Sequence, residues 1–173
     1  MRWLIDGYNV IRRSSELHER ERQGLEAGRR ALLDLLGRVS RDRGDQFTVV
    51  FDGAGAGGST GGADVRIIFS SARESADRVI TRMAAQGGAV VSDDREVLRA
   101  AARVGAVAIT AREFLARLDE VEAGAARDVR ETEEDANDES EPRAAPRKGN
   151  PRRLGKKARA AARALGRLGG HPR

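Results

Sequence analysis

Acidic residues end several apolar runs of this sequence, in positions from which they could form one site. Asp6 closes the first apolar run, Asp52 closes a second, and Asp93 and Asp94 follow a third. Asp77 lies between the later runs, in a segment with helical spacing. The carboxyl ends of parallel strands meet at one edge of a sheet, which is where open α/β folds bind ligands. We therefore expect these carboxylates to converge.

Converging carboxylates indicate chemistry with a divalent metal ion. Like charges at short range raise one another's pKa and destabilise the fold, and a bound cation relieves that repulsion. Mg²⁺ and Mn²⁺ prefer oxygen ligands and keep several water molecules, so a small number of carboxylates is sufficient. Such an ion can activate water and neutralise charge on a phosphate. The pattern predicts hydrolysis of a phosphodiester.

Several of these positions also have a structural alternative. Asp93 or Ser92 can cap the helix that follows, and Asp52, which precedes a glycine, can be a turn residue. Asp6 has no evident capping role, because Gly-Tyr-Asn follows it, so a functional role fits it best. Asn9 can either order this turn or hold a metal-bound water.

The segment around Asp77 has the pattern of a helix that would bring it to the same edge. Ser71 and Glu74 match a capping box, S-x-x-E, at the start of that helix. Ala76 and Ile80 recur at helical spacing and predict its buried side. On this pattern Glu74 is a capping residue, and Asp77 is either a metal ligand or a solvated helix position.

Residue types weaken several competing enzyme classes. The chain has no cysteine, which excludes a thiol nucleophile, a disulfide framework and a zinc–thiolate site. All lysines lie beyond residue 147, so a P-loop motif is absent. His18 and His171 lie outside any setting that resembles a Ser-His-Asp triad. Oxygen-ligated metal chemistry remains the best fit.

Short apolar runs alternate with helical patterns over the first 125 residues. A helix is expected to start at Ser14 or Ser15 and to end near Gly44. This alternation predicts a three-layer, Rossmann-like α/β domain with a mostly parallel five-stranded sheet. The predicted strands are residues 3–5, 47–51, 65–69, 89–91 and 106–109.

A glycine-rich stretch follows the second predicted strand and spells GxGxxG at residues 53–58. A dinucleotide site needs a helix directly after this turn to hold the pyrophosphate. More glycines and then another apolar run follow here instead. We interpret residues 53–62 as a surface loop.

The end of the chain carries most of its charge asymmetry. Residues 128–141 hold eight acidic residues and one basic residue, whereas residues 142–173 hold eleven basic and no acidic residues. We interpret residues 1–125 as the folded domain, 126–141 as an acidic linker and 142–173 as a disordered basic tail, helical at most over 154–168.

The basic tail either binds phosphate backbones, independently of sequence, or serves only as a solubilising extension. If it binds RNA, the candidate contacts are its basic residues Arg147, Lys148, Arg152, Arg153, Lys156, Lys157 and Arg159. The first apolar run is too short for a signal peptide, and no run approaches the roughly 20 residues of a membrane span. We expect a cytoplasmic protein without a membrane partner.

Four motifs, in order, resemble those of YacP-like NYN-domain proteins, which belong to the PIN-like nuclease group. IDGYNVI at residues 5–11 resembles the opening motif of the family, and VFDG at 50–53 resembles its second strand end. Residues 71–80 are similar to its S-x-x-x-S-A-D-x-x-I segment, and VVSDDRE at 90–96 resembles V-V-[TS]-[SD]-D-R. The resemblance covers roughly residues 1–123.

The resemblance implies a PIN-like fold and a metal-dependent endoribonuclease that uses Mg²⁺ or Mn²⁺. Bacterial members include a ribosome-associated nuclease that acts on messenger RNA, so RNA and the ribosome are the expected partners. By motif match, Asp6, Asp77 and Asp94 would be the catalytic, metal-binding carboxylates. Asp93 would be a further ligand, although many relatives carry serine or threonine there. The supporting residues would be Asn9, Asp52, Glu74 and Ser92.

Two other functions fit the same residues less well. A non-catalytic RNA-binding or ribosome-associated module could retain the same fold, and the substrate could be DNA or structured RNA. The presence of Asp6, Asp77 and Asp94 together favours the enzyme over the binding module.

Overall fold

A computed structural model describes residues 1–41, 45–53, 65–134 and 155–168 of the chain. Its strands are Arg2–Asp6 (β1), Gln46–Phe51 (β2), Val65–Phe69 (β3), Ala89–Val91 (β4) and Val107–Ile109 (β5). Its helices are Gly7–Arg13 (α1), Ser15–Gln23 (α2), Leu25–Arg41 (α3), Ala76–Ala84 (α4), Arg95–Arg103 (α5), Ala111–Glu134 (α6) and Lys156–Arg167 (α7). No helix within these ranges has both the length and the apolar character needed to cross a bilayer.

Some sequence predictions lie outside the described residues. They are the surface loop at 53–62 apart from Gly53, and the candidate RNA contacts Arg147, Lys148, Arg152 and Arg153.

The five strands form one parallel sheet in the order β3-β2-β1-β4-β5. The chain builds outward from β1 through β2 to β3, and then crosses to the other side of β1 to add β4 and β5. The order therefore reverses between β1 and β4. In open α/β sheets the crevice outside this switch point is the usual ligand site.

Helices cover both faces of the sheet. Successive side chains of a strand point to opposite faces, so each strand contributes apolar side chains to both layers of helices. Trp3 and Ile5 of β1 pack into a core with α1, α2, α3, α6 and α7. Leu4, between them, packs with Ile80 of α4 and Val97 of α5 on the opposite face. The prediction of a three-layer α/β fold with a five-stranded parallel sheet is confirmed.

The amino-terminal helical region differs from the single helix that the sequence predicted. Ser14 does start a helix, since its side chain accepts a hydrogen bond from the Leu17 N–H at 3.3 Å at the start of α2. However, α1 already begins at Gly7, and Gly24 separates α2 from α3. The missed helix α1 directly adjoins the predicted site.

The predicted capping box at Ser71 and Glu74 is wrong. These residues pair through their backbones in a tight turn, at 3.0 and 3.2 Å, and α4 begins only at Ala76. The Glu74 carboxylate instead accepts two hydrogen bonds from Arg82, at 2.9 and 3.0 Å. A bidentate arginine pair is stronger than a neutral backbone cap, and it takes the oxygens that the box would need.

The packed part of the chain extends beyond the predicted boundary at residue 125. Helix α6 continues to Glu134, so the first part of the predicted acidic linker is helical. Helix α7 then adds Ala161 and Ala164 to the main core, together with its C-cap residue Leu168. Alanine is only weakly hydrophobic, so it contributes little to a hydrophobic pattern in a sequence. Its small side chain nevertheless lets a helix approach the sheet closely.

Arg117 of α6 fixes the carboxyl end of α7. Its Nε donates hydrogen bonds to the backbone carbonyls of Leu165 and Leu168, both at 3.0 Å. The last carbonyls of a helix have no partner inside the helix, so this arginine supplies one. The segment predicted to be a tail therefore has a defined attachment to the domain over α7.

Replacing Leu168 with alanine tests this attachment. Leu168 is 0% exposed, so Leu168→Ala should lower the free energy of unfolding by about 2–5 kcal/mol. Leu25→Ala is the matched control, because Leu25 is 53% exposed and its loss should change stability by less than about 0.5 kcal/mol. Urea unfolding followed by circular dichroism gives both values, and equal effects would contradict the packing of α7.

Candidate active site

Asp6 lies at the carboxyl end of β1 and is only 8% exposed. Its Oδ1 accepts the Asn9 backbone N–H at 3.3 Å, which makes it the N-cap of α1. Its Oδ2 accepts hydrogen bonds from Asn9 Nδ2 at 2.7 Å and from Ser92 Oγ at 2.9 Å. The expectation that Asp6 has no capping role is wrong, since the helix that it caps was not predicted.

Ser92 joins the ends of the two strands that flank the switch point. Ile5 and Val91 are paired in register, so Asp6 and Ser92 leave the sheet side by side. The buried Ser92 hydroxyl donates to Asp6 and accepts the Asp94 backbone N–H at 3.0 Å. One hydroxyl thus connects the β1 and β4 turns.

Asp94 caps helix α5. Its Oδ1 accepts the backbone N–H groups of Glu96 and Val97, at 2.6 and 3.3 Å. The sequence assigned this role to Asp93 or Ser92, and the structure gives it to Asp94.

Asp93 turns towards the start of α6. Its Oδ1 accepts the Ala111 N–H at 3.0 Å, and its Oδ2 lies 3.4 Å from Arg13 Nε. Its backbone N–H donates to Asn9 Oδ1 at 3.4 Å. Both carboxylate oxygens therefore have structural partners, and the side chain connects α1, β4 and α6.

A cleft of about 440 Å³ opens beside Asp6 and brings it together with Asp52 and Asp77. Asp52 follows β2 and is oriented by the Ser70 hydroxyl, which donates to its Oδ1 at 2.6 Å. Asp77 lies in the first turn of α4. The remaining lining residues are Tyr8, Asn9, Arg12, Leu25, Ser75 and Ala76.

The acids around this cleft act on one another electrostatically. Partial burial raises the pKa of Asp77, and the negative charges of Asp94, Asp52 and Glu96 raise it further. Burial also raises the pKa of Asp6, against the opposing effect of the hydrogen bonds from Ser92 and Asn9. In the part of the chain that the structure describes, the Asp77 carboxylate has no hydrogen-bond or ion-pair partner.

The sequence pattern of the YacP-like NYN domain matches residues 3–150 of this chain. The chain belongs to the YacP-like NYN domain family. This assignment indicates a nuclease-type domain that acts on RNA, and it confirms the resemblance carried by the four motifs.

Solved structures support the same assignment of this NYN domain. Rae1 (YacP) from Bacillus subtilis superposes with a TM-score of 0.65 and 26% identity, over 79% of this chain and 84% of the other. A point mutant of the same protein gives a TM-score of 0.65 and 25% identity, over 83% and 87%. No curated protein sequence matches the chain significantly.

A divalent cation suits the acids of this NYN domain by charge and by donor type. They are oxygen donors, and the negative charges of Asp94, Asp52 and Glu96 raise the pKa of Asp77, an effect that a bound cation would reverse. Among residues 1–41, 45–53, 65–134 and 155–168, however, no three aspartate, glutamate or histidine side chains lie close enough to ligate one ion. The fit therefore rests on chemistry and charge.

Glu74 lies outside the cleft of the NYN domain. It lines a neighbouring groove of about 490 Å³ between α4 and α5, together with Arg82, to which it is bound. Asp77 lines both this groove and the cleft. Glu74 thus lies next to the predicted ligands without joining them.

Sequence reasoning missed four residues around the cleft. Tyr8, Arg12 and Leu25 line it, and Glu96 adds to the negative charge at Asp77. Tyr8 and Arg12 are four residues apart, the spacing of neighbours on a helix face. That signal was hidden because the sequence placed no helix before Ser14.

Gly7, within the DGYN motif, is required by close packing. A Cβ atom at this position would lie 2.3–2.9 Å from ring atoms of Phe51.

Gly7→Ala should therefore destabilise the domain by about 1–3 kcal/mol. Gly124→Ala in α6 is the control, because a Cβ there meets nothing within 4 Å and should stabilise the helix by about 0.5–1 kcal/mol. Thermal unfolding distinguishes the two, and a neutral Gly7→Ala would contradict the packing at Phe51.

Proposed function

We propose that this NYN domain is a divalent-metal-dependent endoribonuclease that hydrolyses RNA phosphodiester bonds in the cytoplasm. The observation that carries the proposal is the cleft at the carboxyl edge of the sheet, which is lined by Asp6, Asp52 and Asp77. There the pKa of Asp77 is raised by burial and by neighbouring carboxylates. Repulsion between carboxylates lowers the stability of a fold, so a bound cation is the simplest explanation for why these acids lie together.

In this proposal Asp6, Asp77 and Asp94 supply the carboxylates that would hold Mg²⁺ or Mn²⁺. Because no three acidic side chains of the described residues lie close enough to ligate one ion together, one or two of them would bind it directly and water would fill the other positions. A bound ion would supply an activated water and neutralise the charge that develops on the phosphate. Asn9 and Ser92 hold the Asp6 carboxylate in one orientation through Oδ2. Asp94 does not line the cleft, and its Oδ1 is committed to the cap of α5. Its link to the cleft is electrostatic, because its negative charge raises the pKa of Asp77.

The proposed substrate is single-stranded RNA, in keeping with the family. Helix α7 supports this with exposed Lys156, Lys157 and Arg159, which can attract a phosphate backbone. We further propose that the basic segment could let the enzyme act on messenger RNA at the ribosome. The alternative is an RNA-binding module without catalysis, and a cleavage assay distinguishes it from the nuclease.

The first test is cleavage of a long single-stranded RNA by wild type and by Asp6→Asn. Cleavage by the wild type should need Mn²⁺ or Mg²⁺ and stop in EDTA, and Asp6→Asn should lower it at least about 100-fold. The matched control is Asp119→Asn on the exposed face of α6, which should retain wild-type activity. Circular dichroism checks that each variant is folded.

The outcomes separate the alternatives. Equal cleavage by wild type and Asp6→Asn would place the chemistry elsewhere or indicate a contaminating nuclease. RNA binding without cleavage in either metal would favour the binding module.

Metal binding can be measured without turnover. Saturating Mg²⁺ or Mn²⁺ should raise the Tm of the wild-type protein by about 5 °C, because the ion binds only the folded state. Asp77→Asn should show less than half of that increase. In EDTA this variant should be the more stable protein, since it lacks one of the repelling charges. An unchanged metal response in Asp77→Asn would remove Asp77 from the proposed ligand set, and Asp119→Asn is again the control.

A further inference from the structure

The wall of the cleft formed by α1 contains a tyrosine whose hydroxyl is held by a partly buried arginine. Arg29 of α3 donates hydrogen bonds to Tyr8 Oη from Nε, at 3.0 Å, and from Nη2. The Arg29 side chain is only 15% exposed. Tyr8 itself lines the cleft next to Asp6 and Asn9.

The two hydrogen bonds from Arg29 fix the role of the Tyr8 hydroxyl. A phenol oxygen has two acceptor lone pairs and one O–H to donate. Arg29 occupies the acceptor side, because a guanidinium can only donate. The hydroxyl proton must therefore point away from Arg29, and within the described residues it has no acceptor. Tyr8, which lines the cleft, consequently retains one O–H donor that no described residue accepts.

Arg29 is held in place by aromatic rings. Its guanidinium lies 4.9 Å from the centre of the Phe69 ring and 5.5 Å from that of Phe51, within the range of cation–π contacts. The Phe51 ring also packs edge-on against Tyr8, with centroids 5.2 Å apart. Its Nη1 also lies 3.4 Å from Glu26 Oε2, so this partly buried side chain has partners on several sides. We therefore treat Arg29 as a support for Tyr8.

Arg12 adds a positive charge to the same wall. It lines the cleft, and its guanidinium lies 5.2 Å from the centre of the Tyr8 ring. Its Nε is 3.4 Å from Glu21 Oε1, and its side chain is 62% exposed. The α1 wall thus contributes an O–H donor and a cation to a cleft whose other charged lining residues, Asp6, Asp52 and Asp77, are acidic.

The geometry points to a phosphate subsite formed by Tyr8 and Arg12, with Arg29 as the residue that positions Tyr8. A donor and a guanidinium side by side suit the oxygens of a phosphodiester. Carboxylates repel such a group unless a cation lies between them, so the α1 wall is the side on which the chain's own residues attract it. The subsite rests on the proposed function, and it would bind the phosphodiester adjacent to the one that is hydrolysed.

Binding of a fluorescent single-stranded oligouridylate in EDTA tests the subsite without cleavage. Tyr8→Phe should weaken binding about tenfold, with an unchanged salt dependence, because it removes a hydrogen bond but no charge. Arg12→Gln should also weaken binding and reduce the slope of log K against log salt by about 0.7. The control is Arg22→Gln on α2, another exposed arginine paired with a glutamate, which should behave like wild type.

Kinetics and a double variant test the role assigned to each residue. In cleavage assays Tyr8→Phe should raise KM about tenfold and change kcat less than about twofold, as expected for a contact outside the reacting phosphate. Arg29→Met should weaken binding, and the double variant with Tyr8→Phe should bind no more weakly than Tyr8→Phe alone. This non-additivity is expected if Arg29 acts through the hydroxyl, whereas a general structural role would add to the loss.

The two proposals fail in different ways. Suppose that Tyr8→Phe and Arg12→Gln weaken RNA binding but the wild type cleaves RNA in no metal. The proposed nuclease activity would then be wrong, and the proposed subsite would stand. Suppose instead that the wild type cleaves RNA. The subsite alone would then be overturned if Tyr8→Phe had the KM of the wild type, or if Arg12→Gln bound RNA like Arg22→Gln. Absence of wild-type binding to the oligouridylate would also overturn it. If Arg29→Met fails to fold, the other two variants still decide.

Discussion

The hydrogen bond from Ser92 to Asp6 is the contact on which the site depends. It joins the ends of β1 and β4 at the point where the strand order reverses. A buried carboxylate is unfavourable unless donors surround it, and Asn9 provides the others. Because the Ser92 hydroxyl also accepts the Asp94 N–H, the turn after β1 and the turn after β4 hold a single relative position.

The same carboxylates serve the fold and the candidate chemistry. Asp6 caps α1 and Asp94 caps α5, so both helices begin at the acidic edge of the sheet. The partial positive charge at a helix amino end lowers the cost of placing anions there. This explains how the edge tolerates repulsion at Asp77, which itself lies in the first turn of α4. Capping also limits the freedom of Asp6 and Asp94, so these oxygens are oriented before any ligand arrives.

The sequence predicted the sheet and the edge of it at which Asp6, Asp52 and Asp94 lie, because parallel topology alone forces strand ends to one edge. It could not predict that Asp94 rather than Asp93 caps α5, since the two neighbouring residues have the same carboxylate and either can cap a helix. Helix α7 was missed as part of the core because its buried residues are mainly alanine. The pair of Tyr8 and Arg29 was missed because a contact across 21 residues follows from how α3 packs, which no local pattern encodes. Metal binding by the acids stays a prediction.

The close approach of Gly7 to Phe51 has an evolutionary consequence. A side chain at position 7 would need the ring at position 51 to shrink, so the two positions cannot change one at a time without loss. The same ring contacts Tyr8 and Arg29, so a smaller residue at 51 would also loosen the α1 wall of the cleft. Within a lineage, these four positions should therefore be inherited or replaced as one unit. Drift at the surrounding surface can proceed independently of them.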